Sequence, residues 1–512
     1  MSDKVESHGA ESRSDGRLFA VCFAAITATS FCFVLRALVI DDWGLAFGLT
    51  QTQKGELLGV GLWPFSITIV LLSLLIDRIG FRATFWFAAA CHALGLGVLV
   101  SAHGYWSLYL GTFIMALGNG AVEAAANPLI ATVYSHDKPR WLNRVHAAWP
   151  GGMILGGLLA MALGRADWRF KVALMAAPIA VYALLLLRRR FPVSERVASG
   201  VAYKAMLAEA GFLSAGVIIA LMMLEVARVA SLPGWATVSI IGALTAAYGA
   251  YARSAGRPLY VILVLLMIPL ATTELSTDSW ISSLMTPEMT RLGLQAGWVL
   301  IYTSAIVFVI RIFAGTLIKR FKPLGVLALA SAGAAAGLFL MSGASGLALL
   351  AAATLYGMGK SFFWGTSLAV ASEQFPRGGA VTINVLAGAG MLAAGIVGSV
   401  MLGAAQDHAT VTSLADYDAR HGAQLSAQYL TASKTSVFGR YRALDPDKVA
   451  AASPADRQAL AAIAAGSQQA ALRDVALLPV VTLLTYLALI AFFRARGGYR
   501  PVTLTPAGAS AP

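Results

Sequence analysis

A helix that crosses the hydrocarbon of a bilayer needs about 20 consecutive, mostly apolar residues, and this sequence offers fourteen such runs between Leu18 and Phe493. Breaking the chain at charged and Gly/Pro clusters predicts α1 (Leu18 to Ile40), α2 (Leu57 to Ile76), α3 (Thr84 to Ser101), α4 (Trp106 to Tyr134), α5 (Val145 to Gly164) and α6 (Lys171 to Leu187). A basic connector follows, and then two shorter runs, α7 (Phe212 to Val229) and α8 (Trp235 to Ala252), which form an extra hairpin. The second set of six is α9 (Leu259 to Ile281), α10 (Ala296 to Ile318), α11 (Leu324 to Ser342), α12 (Leu347 to Ser372), α13 (Ala380 to Gly403) and α14 (Val475 to Phe493). Composition agrees: 58% of the 512 residues are hydrophobic and 12% charged, against about 45–50% and 25% in a soluble globular chain. The expected fold class is therefore an all-α membrane protein of fourteen spans. Its expected parts are a tail (1–17), a six-helix bundle (18–187), the connector (188–211), the hairpin (212–252), a second six-helix bundle (253–493) that includes a polar stretch at 404–474, and a tail (494–512).

A net charge of +13 invites a nucleic-acid reading, since a basic domain is the usual footprint of phosphate binding. The distribution argues otherwise. With the N-terminus inside, the inner loops and tails hold 22 Lys or Arg and the short outer loops six, the asymmetry of the positive-inside rule. Both termini are thus expected in the cytoplasm, with the bilayer of a bacterial inner membrane as the partner and no nucleic acid. The opening MSDKVESHGAESRSDGR is polar and mixed in charge, so Leu18 onward reads as a retained span rather than a cleaved signal peptide. Cys22, Cys32 and Cys91 lie inside apolar runs and imply neither a disulfide framework nor a metal site. Residues 404–474, Ala/Gln-rich and partly helical in pattern, read as an outer-face insertion with no assignable chemistry. GNG (Gly118 to Gly120) and GMG (Gly357 to Gly359) sit inside spans with no strand before them, so they are not phosphate loops. No enzyme signature stands out, and no cofactor is implied.

Ionisable groups within spans are costly in lipid, and they face a bundle interior or a wet cavity. Here they are Arg36, Arg311 and Lys360 on the basic side and Glu123, Glu225, Glu274 and Asp278 on the acidic side, with Asp77 and Glu373 at inner ends. Three landmarks suggest that the two six-helix sets are repeats. DRIGFR (Asp77 to Arg82) and KRFKPLG (Lys319 to Gly325) are offset by 242, GNG and GMG by 239, and Leu142-Asn143 and Ile383-Asn384 by 241. Duplication of this kind is common in transporters and puts a cavity between two similar bundles.

With this plan the chain resembles the major facilitator superfamily. LLSLLIDRIGFR looks like that superfamily's loop between its second and third helices. The sharper match is Glu123-Ala-Ala-Ala-Asn127-Pro128 followed by Leu142-Asn143, which is similar to the fucose:proton symporter family and its sugar-transporting relatives. The chain departs from those relatives in three places. Arg36 stands in α1 where they carry a carboxylate, His146 and Trp149 stand where they favour Gln and Asn, and typical twelve-helix members lack the extra hairpin. The resemblance implies two bundles that rock around a midplane cavity, importing a sugar or similar polyhydroxylated solute by proton symport, with a small solute and a proton as partners of a monomer. Two rivals stand beside it. A fourteen-helix drug:proton antiporter also inserts two helices between its halves, and a non-transporting membrane sensor is favoured only by the long outer loop.

Each candidate residue carries two readings. Desolvation disfavours the charged form of a carboxyl, which suits Glu123 to bind and release a proton; the alternative is a structural glutamate. Asn127, at i+4 on the same face, binds a solute hydroxyl or repairs the backbone near Pro128. Arg36 clamps an acidic group, orients a hydroxyl, tunes a carboxyl or snorkels. Shifted by 241 it falls on Thr277, beside Asp278 and one turn from Glu274, so a gating ion pair across the repeats is expected. Lys360 pairs with a carboxylate or packs between helices, and Trp364 at i+4 offers a flat face to a ring. His146, Trp149 and Asn384 complete the expected cavity. Arg311 is assigned to an inner gate with Lys319 and Arg320. Asp77, Arg78 and Arg82 form the opposite part of that gate, where Asp77 meets loop cations or the positive N-terminus of the helix starting near Gly378.

Overall fold

A computed structural model describes residues 2–49, 51–164, 166–277, 297–344, 346–436 and 439–504 of the chain. Among the described residues, eleven helical segments are long and apolar enough to cross a bilayer. Two of them, Glu56–Val100 and Ile301–Met341, each hold two spans joined at a break. The first break is at Gly80 (φ 80°, ψ 158°) and the second at Lys322 (φ 61°, ψ 162°). Adding Gly234–Ala252, a helix of 19 residues that forms the less apolar arm of the hairpin, brings the spans to the fourteen expected.

The two breaks have different local causes. Glycine adopts a positive φ without a steric penalty, and Gly80 does so. Lys322 precedes Pro323, whose ring drives the preceding residue out of the helical ψ range. Yet they stand 242 residues apart, the offset already visible between Asp77 and Lys319 in the sequence. The repeat is therefore carried by the backbone as well as by the motifs.

The spans form two bundles that meet along paired faces, α2 on α13 and α5 on α10, while α7 of the hairpin packs on α13 and α9. Within the first bundle α1 lies against α5 and α6, and α4 against α2 and α3. Small residues set the close approaches. A Cβ on Gly120 of α4 would stand 2.4 Å from the Phe65 carbonyl oxygen of α2. Helix Tyr203–Val229 joins the connector to α7 through a second glycine break, Gly211. The end of the bundles that carries the connector is here the connector face; the opposite end is the insertion face.

The 404–474 stretch is a folded unit rather than a bare loop. Helix Ser399–His421 runs straight on from α13, and Pro454–Val475 leads directly into α14. Between them lie two short helices and one departure from the all-α expectation, a two-stranded antiparallel ribbon of Lys434–Ser436 and Gly439–Tyr441. Leu414, Leu425, Leu430 and Leu460 give the unit its own apolar core.

The close contact at Gly120 predicts that Gly120→Ala, by overpacking α4 on α2, costs about 1–3 kcal/mol. This is expected as a lower unfolding midpoint of the detergent-solubilised protein. Gly97→Ala, where a Cβ meets open space and alanine is the better helix former, should not lower that midpoint.

Candidate functional site

The centre of the molecule holds a buried polar network built on both bundles. On α4, Asn127 follows Glu123 by one turn, and its Nδ2 donates to Glu123 Oε2 at 2.9 Å. The same amide's Oδ1 lies 2.9 Å from His146 Nε2. An amide oxygen only accepts, so the network assigns the proton to His146 Nε2. That nitrogen is also 4.0 Å from Glu123 Oε2. His146 sits at the end of a short helix, Lys138–His146, where α5 breaks before resuming at Ala148. One asparagine thus holds a carboxyl and an imidazole in fixed relation.

The second bundle contributes Arg311, whose guanidinium has three partners. Nη2 donates to Glu274 Oε1 at 2.5 Å, Nε to the Ser361 carbonyl at 2.8 Å, and Nη1 to the His146 carbonyl of the other bundle at 3.1 Å. Glu274 lies on a π-helical turn, Thr272–Ser276, one turn beyond Pro269. Turns of this kind recur at functional sites. A second π turn, Ala393–Gly398 of α13, packs on it, with Ser276 Oγ donating to the Ala394 carbonyl at 3.0 Å. Ser361 marks the break in α12 between helices Gly346–Lys360 and Phe363–Gln374. Lys360, 3% exposed, lies with Nζ 5.3 Å from the Tyr356 ring centroid.

Between these groups is a narrow cavity of about 30 Å³, lined by Glu123, His146, Trp149, Glu274, Arg311 and Trp364 with Phe65, Leu275 and Met391. Trp149 stacks on Phe65 (6.4 Å between centroids, 16° between planes) and lies 5.8 Å from Phe33. The site therefore has aromatic walls, one salt-bridged pair and one carboxyl whose hydrogen-bond partner is a neutral amide. A buried charge is expensive unless paired, so the net charge of this space follows the proton on Glu123.

Several expectations are redirected. Arg311 belongs to this chamber and not to a gate with Lys319 and Arg320. Those two line a groove with Arg140 and Arg144 toward the connector face. The reason is helical geometry: Arg320 is nine residues on, two and a half turns, and so on the opposite side of α10. The expected pairing of Arg36 with Glu274 is not formed, because Glu274 takes Arg311. Asp278 lies outside the described residues. Arg36 does not line the chamber; its guanidinium packs on Gly61 and lies 5.4 Å from the Phe33 ring centroid. Asn384 is a cross-bundle tie, with Nδ2 donating to the Ala124 carbonyl at 2.9 Å. Asn143, 241 residues earlier, does the same from the other side, donating to Thr366 Oγ1 at 3.0 Å.

At the connector face Asp77 meets a connector cation, one of the two partners expected for it. Ser194 Oγ donates to Asp77 Oδ1 at 2.7 Å, and Arg196 Nε and Nη2 reach Oδ2 at 2.8 and 2.7 Å. Arg78 stacks over Tyr203, and Arg82 lines a groove with Arg189 and Arg190. Sequence reasoning missed Lys138, the buried first residue of helix Lys138–His146, which donates to Glu195 Oε2 at 2.7 Å and to the Ser372 carbonyl of the other bundle at 3.3 Å. It also missed the tail, where Tyr499 Oη donates to Glu373 Oε2 at 2.6 Å and the Val502 amide to the Glu373 carbonyl at 2.8 Å. Ser194 alone had a legible signal, a helix-capping serine before Glu195–Ala198.

The fold has many solved counterparts. FucP, a transporter of the Major Facilitator Superfamily solved in the outward conformation and described elsewhere as the E. coli fucose:proton symporter, aligns at TM-score 0.56 with 16% identity over 92% of this chain and 98% of its own. The E. coli proton:xylose symporter XylE aligns at TM-score 0.61 with 13% identity over 93% and 96%. The human organic anion transporter MFSD10 (TETRAN) aligns at 0.58 with 13% identity over 92% and 99%. A search of curated proteins gives no match. Residues 18–400 match the family model of the Major Facilitator Superfamily, and the chain belongs to that superfamily.

Proposed function

We propose that this membrane transporter imports a sugar or similar small polar solute by proton symport, with Glu123 as the proton site. The observation that supports this most directly is the setting of Glu123. It is buried at the bundle interface, held by Asn127, and set beside an Arg311–Glu274 pair that is already neutral as a unit. Proton binding at Glu123 discharges the chamber, and a chamber without net charge crosses the closed, water-poor state at least cost. Arg311 bonds to the His146 carbonyl, so it links the chamber to the contact between bundles. His146 and Asn127 would position the carboxyl, and Trp149 and Trp364 would offer flat faces to a ring. Alternating access then proceeds by rocking the two bundles about this space. By the positive-inside asymmetry the connector face is cytoplasmic, in a bacterial inner membrane, and Asp77–Arg196 with Lys138–Glu195 close it. The drug:proton antiporter reading rests on the α7–α8 hairpin it shares with this chain and differs in the direction of transport.

Two outcomes test the scheme. In proteoliposomes with an inward proton gradient, a panel of labelled monosaccharides should contain a solute that the protein accumulates. Glu123→Gln should then abolish accumulation while keeping solute exchange. Full accumulation by that variant removes Glu123 from the role, and dye extrusion in place of uptake supports the antiporter. The second outcome concerns the buried pair. Arg311→Gln or Glu274→Gln alone strands a charge and should cost about 3–5 kcal/mol, whereas the double variant should recover most of it. Unfolding midpoints of the four proteins in detergent measure this, and additive losses would exclude a coupled pair.

A further inference from the structure

The groove toward the connector face that holds Arg140, Arg144, Lys319 and Arg320 has no part in the transport scheme. It is an open cleft of about 460 Å³, within the size range of ligand sites. Its two walls belong to different bundles. Arg140 and Arg144 stand one turn apart on helix Lys138–His146 of the first, and Lys319 and Arg320 stand at the end of α10 in the second. Gly315 of α10 lets the walls meet: a Cβ there would stand 2.9 Å from Arg140 Cγ, so the arginine side chain reaches over the opposite helix. Arg144 Nε donates to the Ile312 carbonyl of that same helix at 3.3 Å. Both guanidiniums also lie beside the Trp141 ring, 5.8 and 5.0 Å from its centroid, and Trp141 is itself stacked on Tyr134. The half-buried pair of arginines is therefore held in place by packing rather than splayed in solvent.

Four cations share this cleft, and among the described residues one carboxylate comes within ion-pair distance of any of them: Asp137, at the head of the same short helix, 3.8 Å from Arg140. Like charges set across an interface repel, yet the contact at Gly315 draws these together. An anion between the walls removes the conflict. Guanidinium forks match phosphate oxygens in paired hydrogen bonds, and a lysine adds a point charge. The cleft also has an apolar side. Phe313, 66% exposed, lines it, and Phe321, just beyond Arg320, is 47% exposed. Apolar surface for an acyl chain thus adjoins a cationic seat at the end of the spans, and basic pockets between transmembrane helices bind phospholipid headgroups. We propose that the cleft seats the phosphate of an anionic phospholipid, held from both bundles at once, so that one lipid of the leaflet at the connector face clasps helix Lys138–His146 to α10. The seat depends on neither the solute nor the proton assigned to Glu123.

Binding to the purified full-length protein, stripped of lipid in a neutral detergent, tests this. Thermal unfolding is followed with dioctanoyl phosphatidylglycerol, dioctanoyl phosphatidylcholine or inorganic phosphate at matched ionic strength. Phosphatidylglycerol should raise the wild-type midpoint, and the other two should not. Arg140→Gln combined with Arg144→Gln should weaken that response by about tenfold or more in apparent affinity, and so should Lys319→Gln combined with Arg320→Gln on the opposite wall. Arg189→Gln combined with Arg190→Gln, in the other basic groove of the connector face, should leave it unchanged. Without lipid, the Lys319 and Arg320 variant should unfold at or above the wild-type temperature, since it relieves repulsion between the walls. An absent response in the wild type, an equal one to phosphatidylcholine, an unaltered one after neutralising either wall, an equal loss in the Arg189 and Arg190 variant, or a lower lipid-free midpoint in the Lys319 and Arg320 variant overturns the seat. An equal response to inorganic phosphate makes the occupant a free anion and overturns the lipid.

Discussion

One guanidinium ties the centre of this protein together. Arg311 spends its donors on a carboxylate of α9, a carbonyl of α12 and a carbonyl of α5 in the other bundle. In a medium of low dielectric such a cation tolerates little misplacement, because each lost partner exposes a desolvated charge. The breaks in α5 and α12 and the π turn in α9 coincide with its three partners. They are the places where backbone carbonyls or a carboxylate can leave the regular helical ladder and face the guanidinium. His146 supplies one of those carbonyls itself, and through Asn127 its ring is tied to Glu123.

The connector face shows the same economy. A single stretch, Ser194 to Arg196, ties down Asp77 of the first bundle through Arg196 and engages Lys138 through Glu195; Lys138 in turn reaches Ser372 of the second bundle. The chain that joins the two halves in sequence thus also ties them together in space. The tail beyond α14 adds a further tie through Tyr499 and Glu373.

Much of the fold was legible because bilayer crossing imposes a length and a composition on each span. The repeat was legible because turn residues mark the same positions twice, Gly80 and Lys322-Pro323 among them. Glu123 and Asn127 could be placed together because one helical turn separates them. The partners of Arg311 could not. Its linear neighbours are Lys319 and Arg320, but the side of α10 it occupies, and the carbonyls it meets, depend on how three other helices cross. Lys138 was equally opaque: a lysine between an aspartate and a proline looks like solvent-exposed loop until Glu195 and Ser372 close over it.

The insertion at 399–475 grows out of α13 through the π turn Ala393–Gly398 and returns to α14 at Ala476. Its leading helix has 23 residues and at 1.5 Å per residue extends about 34 Å. A mast of that length, moving with the spans below, would turn a tilt of a few degrees into a sweep of several ångströms at its tip. Any tilt of those spans would therefore be displayed, magnified, beyond the bilayer, where a pair of labels or a bound antibody fragment can read it.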